Sequence, residues 1–207
     1  MTELEKSLEN WKKITDDNAH YDSIGAMAEA TVSTSPIIDK LSTWAAAGSA
    51  AVAGLSVTNI DKMANFYDHS QLKVLFSCLA ASLFLALIQK YYAMLCSLSI
   101  STSTEVRARL APVLDSFEEH ATAISEMSDK NGLAIKTEFD LMKTVASFQE
   151  LYPWYIKLIL NRPMKKLKED RSYNHQRMLI THFWQGMTLL GQYLLLVAFV
   201  VMSAIYI

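Results

Sequence analysis

The last 21 residues of the chain, Met187–Ile207, contain no charged side chain. With a rise of about 1.5 Å per residue, a helix of this length covers roughly 30 Å, the thickness of the hydrocarbon core of a bilayer. A buried helix in a soluble protein rarely needs so long an uncharged run. The stretch therefore predicts a transmembrane helix, and it commits the rest of the chain to a membrane.

Two earlier apolar blocks predict two further spans. Residues 41–57 (LSTWAAAGSAAVAGLSV) carry no charge, and residues 74–100 form a longer block that is interrupted at Gln89 and Lys90. We interpret Lys90 as reaching the headgroup region beside two tyrosines, which ends the second span there. Two alternatives stay open: the helix continues well past the bilayer, or Lys90 lies at mid-depth and becomes a functional candidate.

The first of these blocks consists mostly of small residues, which give little hydrophobic drive toward lipid. Small side chains at helical spacing allow another helix to approach closely. Such a face serves either packing inside one subunit or a helix–helix interface in an oligomer, where it could line a pore. The candidate packing residues are Ala46, Gly48, Ala50 and Gly54.

The N-terminal segment, residues 1–36, is polar but carries an apolar stripe at helical spacing, formed by Leu4, Leu8, Trp11 and Ile14. This pattern predicts an amphipathic helix whose stripe needs a cover. The cover is the protein's own cytoplasmic part, a partner protein or the membrane surface. The mixed charge of the polar face argues against the membrane surface. Residues 33–36 (STSP) then predict a break before the first span.

Residues 101–150 have the pattern of soluble helices and predict a helical hairpin that projects from the membrane. Asn131–Gly132 marks a turn, and Pro112 is expected to bend or divide the helix that contains it. Residues 151–160 (LYPWYIKLIL) are too few to span a bilayer. With Trp154 and Tyr155 they predict a helix that is interfacial or re-entrant.

A basic cluster precedes the last span. Segment 101–177 holds 12 of the 19 Lys and Arg residues, whereas residues 58–73 hold two. The positive-inside rule therefore puts the first segment and the N-terminus in the cytoplasm, with 58–73 as an external loop. The cluster could also attract anionic headgroups, while a net charge of −2 gives no reason to expect direct nucleic-acid binding. Its members are Arg162, Lys165, Lys166, Lys168 and Arg171.

These patterns predict an all-α integral membrane protein with about three transmembrane helices and a cytoplasmic helical hairpin. The expected segments are a cytoplasmic amphipathic region (1–36), a transmembrane hairpin (37–100, with spans near 41–58 and 74–95), a cytoplasmic helical segment (101–177, with the interfacial helix 151–160) and a C-terminal transmembrane helix (178–207).

The sequence contains no catalytic constellation, since GxSxG, HExxH and P-loop spacings are all missing. Cys78 and Cys96 would lie about 27 Å apart on one helix, too far for a disulfide. We therefore expect neither an enzyme nor a metal or cofactor site. We interpret His182 and Gln185 as interfacial polar residues, and Gln192 as a group that could bond across helices.

Residues 41–44 (Leu-Ser-Thr-Trp), the small-residue run through Gly48 and residues 58–61 (Thr-Asn-Ile-Asp) resemble the first span of small bacterial membrane proteins from anti-phage defence cassettes. In size and layout the chain is most similar to the transmembrane effectors of retron systems. The resemblance implies a toxin-like effector of the bacterial inner membrane, held inactive by a reverse transcriptase and its RNA–DNA hybrid. Release during phage infection would permeabilise that membrane and stop growth.

Two functions are thus expected, and they differ in class. The first is a membrane-disrupting or pore-forming effector that acts as a homo-oligomer in the lipid bilayer, assembled through the small-residue helix. The alternative is a non-conducting membrane scaffold or sensor subunit whose cytoplasmic helices dock a soluble partner.

Overall fold

The computed structural model describes residues 3–131, 137, 139–157, 165–166, 170 and 172–206. Every regular element within these ranges is helical, which confirms the all-α prediction. The helices are α1 (Glu3–Val32), α2 (Ser35–Thr58), α3 (Ile60–Met63), α4 (His69–Lys130), α5 (Leu141–Glu150) and α6 (Tyr173–Tyr206).

The chain divides into two compact units. Unit 1 comprises Met1–Ile100 and Asn174–Ile207, and unit 2 comprises Ser101–Tyr173. Unit 1 therefore contains α1, α2, α3 and α6 together with the first half of α4, and it includes all three predicted spans.

The break between α1 and α2 has a local cause. Pro36 lies in the first turn of α2, where the missing N–H of proline costs nothing because that N–H would have no helical acceptor. The amide of Ile37 instead donates to the carbonyl of Thr34 at 2.9 Å, which closes the first turn. One helix thus ends at Val32 and the next begins at Ser35, within the predicted STSP breaker.

Helix α4 is longer than the pattern of apolar blocks predicts. It continues past Lys90 without interruption and includes Pro112 within its 62 residues, so neither residue divides it. The alternative in which this helix extends beyond the apolar block therefore matches the structure. A proline within a helix removes one backbone hydrogen bond, but the helical turns on either side of Pro112 are retained, so α4 stays continuous.

In unit 2 the chain folds back toward α4. The rings of Phe117 and Phe139 lie 5.5 Å apart, and the Asp140 side chain caps α5 by accepting from the amide of Lys143 at 2.9 Å. Residues 154–157 form one further helical turn. The predicted helix 151–160 is thus described only in its first part, since residues 158–160 lie outside the described ranges.

The helices of unit 1 run in directions that their contacts define. Gln185 contacts Ser35 and Gln192 contacts Ser42, so α2 and α6 advance together and are parallel. Ser49 meets Ser82 on α4, whereas Thr43 meets Lys90, so α4 runs antiparallel to α2. Three apolar helices therefore pack side by side as a bundle with alternating up, down and up directions.

Candidate functional site

The inner face of α2 is a line of serines at intervals of seven residues. Ser35, Ser42, Ser49 and Ser56 are all buried, and Ser42 and Ser49 have no exposed surface at all. A seven-residue interval keeps one face turned toward neighbouring helices when these wind around each other with a slight left-handed twist. The facing helices repeat the interval: Ser82, Gln89 and Cys96 on α4, and Met178, Gln185 and Gln192 on α6, are buried too.

The Ser35 layer joins all three helices. The side-chain amide of Gln185 donates to the backbone carbonyl of Ser35 at 3.1 Å, and the buried Cys96 of α4 packs with Val32 and with Met178 of α6. Gln185 has no exposed surface. Gln185, which we interpret as an interfacial polar residue, is thus buried between the helices and contacts α2 through Ser35.

The Ser42 layer lies one heptad further along the bundle. Ser42 Oγ donates to Oε1 of Gln192 at 2.8 Å, and Nε2 of Gln192 donates back to the carbonyl of Ser42 at 3.2 Å. This two-way contact is the cross-helix bond expected of Gln192. Gln89 lies seven residues after Ser82 and seven before Cys96, so the heptad register of α4 puts it at the level of this layer.

Gln89 has no exposed surface, yet neither its amide oxygen nor its amide nitrogen has a hydrogen-bond partner in the described part of the chain. A buried amide that lacks partners costs about 1–3 kcal/mol, so native structures rarely contain one without a reason. Gln89 is therefore the most unusual polar group of the bundle.

The Ser49 layer and the end of the bundle beyond it are progressively less polar. The hydroxyl oxygens of Ser49 and Ser82 lie 3.2 Å apart, and Ser49 also donates to the carbonyl of Ala45 at 2.9 Å. One heptad further, Ser56 faces Leu75, Leu79 and Phe199, and the gap among these side chains is too small to hold a water molecule. The polar core thus ends on an apolar, dry layer.

The outer surface of the same bundle is apolar. Trp44 and Leu55 on α2 are 61% and 67% exposed, Phe84 on α4 is 63% exposed, and Leu194 on α6 is 60% exposed. Serine and glutamine side chains therefore lie inside the bundle beside buried apolar residues such as Leu75 and Leu79, while large hydrophobic side chains cover its outside. A soluble helical bundle has the opposite kind of outer surface. Exposed apolar surface of this extent marks contact with a membrane or with another protein.

Charged residues bound this apolar surface. Lys90 Nζ forms an ion pair with Asp39 Oδ1 at 2.7 Å and donates to Thr43 Oγ1 at 2.7 Å. Both side chains of the pair are partly exposed, at 45% and 33%. The ion pair of Lys90 with Asp39 on α2 was not predicted, because sequence spacing gives no indication that residues 51 positions apart are in contact.

The predicted small-residue face of α2 lies mostly on the outside of the bundle. Ala46 is half-buried, and Gly48, Ala50 and Gly54 are exposed. A Cβ atom added at Gly48 or Gly54 would meet nothing within 4 Å. Packing within the chain instead uses the serine face, and the seven-residue spacing of its serines is the sequence signal that indicates this face.

The predicted membrane-interface residues are described in part. Trp154 and Tyr155 are 74% and 54% exposed, and Lys165 and Lys166 are exposed as well. Lys166 Nζ lies 5.4 Å from the centre of the Tyr173 ring, a cation–π distance. The remaining predicted residues, Arg162, Lys168 and Arg171, lie outside the described ranges.

The predicted apolar stripe of α1 is not covered by any part of the chain that the structure describes. Residues 4–23 are exposed throughout, including Trp11 at 75%, and burial begins only at Gly25 and Ala28. From there α1 follows α6, because Gly25 lies against the ring of His175 and Thr34 Oγ1 lies 3.3 Å from Nε2 of His182. The stripe thus contacts nothing else in the described chain.

Two of the helices, α4 and α6, are long and apolar enough to cross a membrane. Of their most apolar 18-residue stretches only 28% and 6% are buried, unlike the core helix of a soluble protein. Helix α2 is less apolar, since serine, alanine and glycine make up half of it. Within the described ranges, no group of three or more His, Cys, Asp or Glu side chains could hold a metal ion.

No protein-family model matches this chain, no curated protein matches it in sequence, and no solved structure matches its fold. In its described residues the protein is all-helical, and two of its helices have the length and composition needed to cross a membrane.

Proposed function

We propose that the protein is embedded in a membrane by three spans, α2, α4 and α6, with its N-terminus in the cytoplasm. The observation that carries this proposal is the reversed bundle, in which serine and glutamine line the inside and large apolar side chains cover the outside. In water such a bundle would expose its apolar surface and bury polar groups at a cost. In lipid the same arrangement is favourable, because the apolar surface faces acyl chains.

The charge distribution supports three spans of bilayer length. Helix α2 carries no charge over its last 18 residues, 41–58, and α4 carries none over the 16 residues 74–89. These stretches cover about 27 Å and roughly 24 Å of helix, close to the thickness of a hydrocarbon core. The contact of Lys90 with Asp39 lies at one end of these uncharged helix segments, and the contact of Tyr67 with the carbonyl of Ser203 lies at the other end.

We infer further that the protein acts as a membrane effector that permeabilises the bacterial inner membrane when activated, arresting growth of a phage-infected cell. Two features support this function: a polar core inside an apolar bundle, and a small-residue face on α2 that is open to a second copy. The defence role and the inhibition by a reverse transcriptase with its RNA–DNA hybrid rest on the sequence resemblance alone.

Induced expression of the full chain in a bacterial host tests the permeabilising function. We expect a potential-sensitive dye to report loss of membrane potential within minutes of expression, followed by growth arrest. Gly54→Leu and Gly48→Leu should reduce the depolarisation at least tenfold, because a leucine side chain prevents close approach of another helix to the exposed face of α2.

Gly186→Leu is the matched control for this experiment. A Cβ at Gly186 also meets nothing within 4 Å, but this glycine lies on α6, away from the small-residue face. The control should depolarise like the unaltered protein at equal membrane abundance. Full depolarisation by Gly54→Leu would rule out assembly through α2, and an unchanged potential with the unaltered protein would rule out the effector function.

The alternative, a membrane scaffold that docks a cytoplasmic partner, is favoured by the uncovered stripe of α1. Replacing Leu8 and Trp11 with aspartate should abolish recovery of the partner in a crosslinked pull-down without lowering thermal stability, since both side chains are exposed. The control replaces Glu9 and Lys13, on the polar side, with serine. Partner recovery unaffected by the Leu8/Trp11 change would reject docking through this stripe.

A further inference from the structure

The buried face of α1 and its exposed stripe belong to one seven-residue pattern. Where α1 joins the bundle, its buried residues follow one another at alternating intervals of three and four, as in a coiled coil. These residues are Gly25, Ala28, Val32 and, at the start of α2, Ser35. The same intervals carried toward the N-terminus reach six exposed residues, which we call the N-terminal seam: Leu4, Ser7, Trp11, Ile14, Asn18 and Tyr21.

The seam therefore continues a packing face of the bundle beyond the helices that cover it. Ser42, Ser49 and Ser56 extend the same seven-residue interval along α2, and all three are buried. Residues 4–23, in contrast, are exposed along their whole length. A helix of about 20 residues is only marginally stable in water unless an amphipathic face packs on something. The seam thus indicates a further helix that pairs with α1.

We propose that the α1 helix of a second copy of this chain packs on the N-terminal seam, forming a parallel, in-register coiled coil of about three heptads. Copies that are embedded in one membrane by the proposed spans have the same orientation, so their α1 helices leave the membrane side by side and parallel. The polar side of α1 carries charges of both signs, which suits solvent better than a lipid surface.

Asn18 supports a second copy as the occupant. In the seam Leu4, Trp11 and Asn18 lie seven residues apart and share one of the two core positions of the coiled coil. A single asparagine at this position specifies the register of a coiled coil at some cost in stability. Between two identical, parallel helices it meets its own equivalent in the other copy, so each amide has a polar neighbour that matches it.

The parallel alignment rests on the proposed membrane embedding, but the pairing does not depend on permeabilisation. The N-terminal seam would join copies outside the bilayer, whereas the small-residue face of α2 would join them within it. A second copy on the seam would also exclude the soluble partner of the scaffold alternative from the same stripe.

Oxidative crosslinking of single cysteines in membranes tests the pairing. In the full chain with Cys78→Ala and Cys96→Ala, Ser7→Cys reports on the seam, and Glu9→Cys is the control. Both positions are exposed, so neither change removes a buried contact. Glu9 lies two residues further on, about 200° around the helix. Core positions of a parallel pair approach to disulfide distance, whereas the outer positions do not.

We expect Ser7→Cys to form a covalent dimer at least tenfold faster than Glu9→Cys, measured on denaturing gels without reductant. Equal rates would overturn the second copy as the occupant, whether a foreign protein or the membrane surface covers the stripe instead. An unaltered chain that does not depolarise cells would overturn the permeabilising function without changing these rates, and recovery of the unaltered chain in the soluble fraction would overturn the embedding.

The charges beside the seam test its alignment. Asp17 and Asp22 flank the seam, and residues five apart at these positions face each other between parallel, in-register helices. This like-charge pair weakens the pairing, and Asp22→Lys replaces it with pairs of opposite charge. We expect Asp22→Lys to raise the crosslinking rate of Ser7→Cys about twofold, the size of effect that exposed ion pairs give. A rate that stays the same or falls would overturn the parallel, in-register alignment.

Discussion

Ser49→Leu is expected to disrupt the bundle more than any other single change to its inner face. Ser49 has no exposed surface, and its hydroxyl lies 3.2 Å from that of Ser82, so α2 and α4 approach closely at this level. A leucine would push these helices apart and remove the hydroxyl that Ser82 contacts on α2. Overpacking costs about 1–3 kcal/mol and occasionally more, and we expect a loss at or above the upper end, measured as thermal unfolding in detergent by circular dichroism.

Two companion variants show whether size or polarity causes this loss. Ala51→Leu adds a leucine on the exposed side of the same helix and should leave unfolding nearly unchanged. Ser49→Ala removes only the hydroxyl and should cost about 0.6 kcal/mol, the average for a hydrogen bond between membrane helices. Equal destabilisation by Ser49→Leu and Ala51→Leu would contradict the serine face as the inner face of α2.

The bond between Ser42 and Gln192 is expected to have the largest coupling energy in the bundle. Two hydrogen bonds, at 2.8 Å and 3.2 Å, join these residues, and both residues are completely buried. A double-mutant cycle with Ser42→Ala and Gln192→Leu should give a coupling of about 1–2 kcal/mol, since the strongest such bonds in membranes reach about 1.7 kcal/mol. The free energy of unfolding is measured in mixed detergent for the unaltered protein, for each single variant and for the double variant.

The same cycle on Thr188 and Ser42 is the control. Thr188 lies on α6 one turn before Gln192, and its hydroxyl bonds to Trp184 and Gln185 on its own helix. Its substitution to alanine should therefore add to Ser42→Ala without coupling. A coupling below about 0.3 kcal/mol for Ser42 and Gln192, within the usual error of additivity, would show that the two-way contact does not stabilise the bundle.

The sequence determined that the protein is all-helical and where its long apolar stretches lie. Long uncharged runs fix where a chain can cross a bilayer, because a charge inside hydrocarbon is costly whatever the fold. The predicted break at residues 33–36 likewise depends on proline chemistry alone. Gln192 was identified as a cross-helix group because an amide in an apolar helix has few other ways to find a partner.

Only the tertiary structure decided which face of each helix lies inside. In α2 small residues lie on both faces. The serines recur every seven residues, but only the packing shows that the serine face contacts Ser82 and Gln192 while Gly48 and Gly54 are exposed. Likewise Gln89 interrupts an apolar block in sequence, but its burial without partners depends on neighbours from two other helices. Helical periodicity states which residues share a face, whereas the packing of three helices determines whether that face lies inside or outside the bundle.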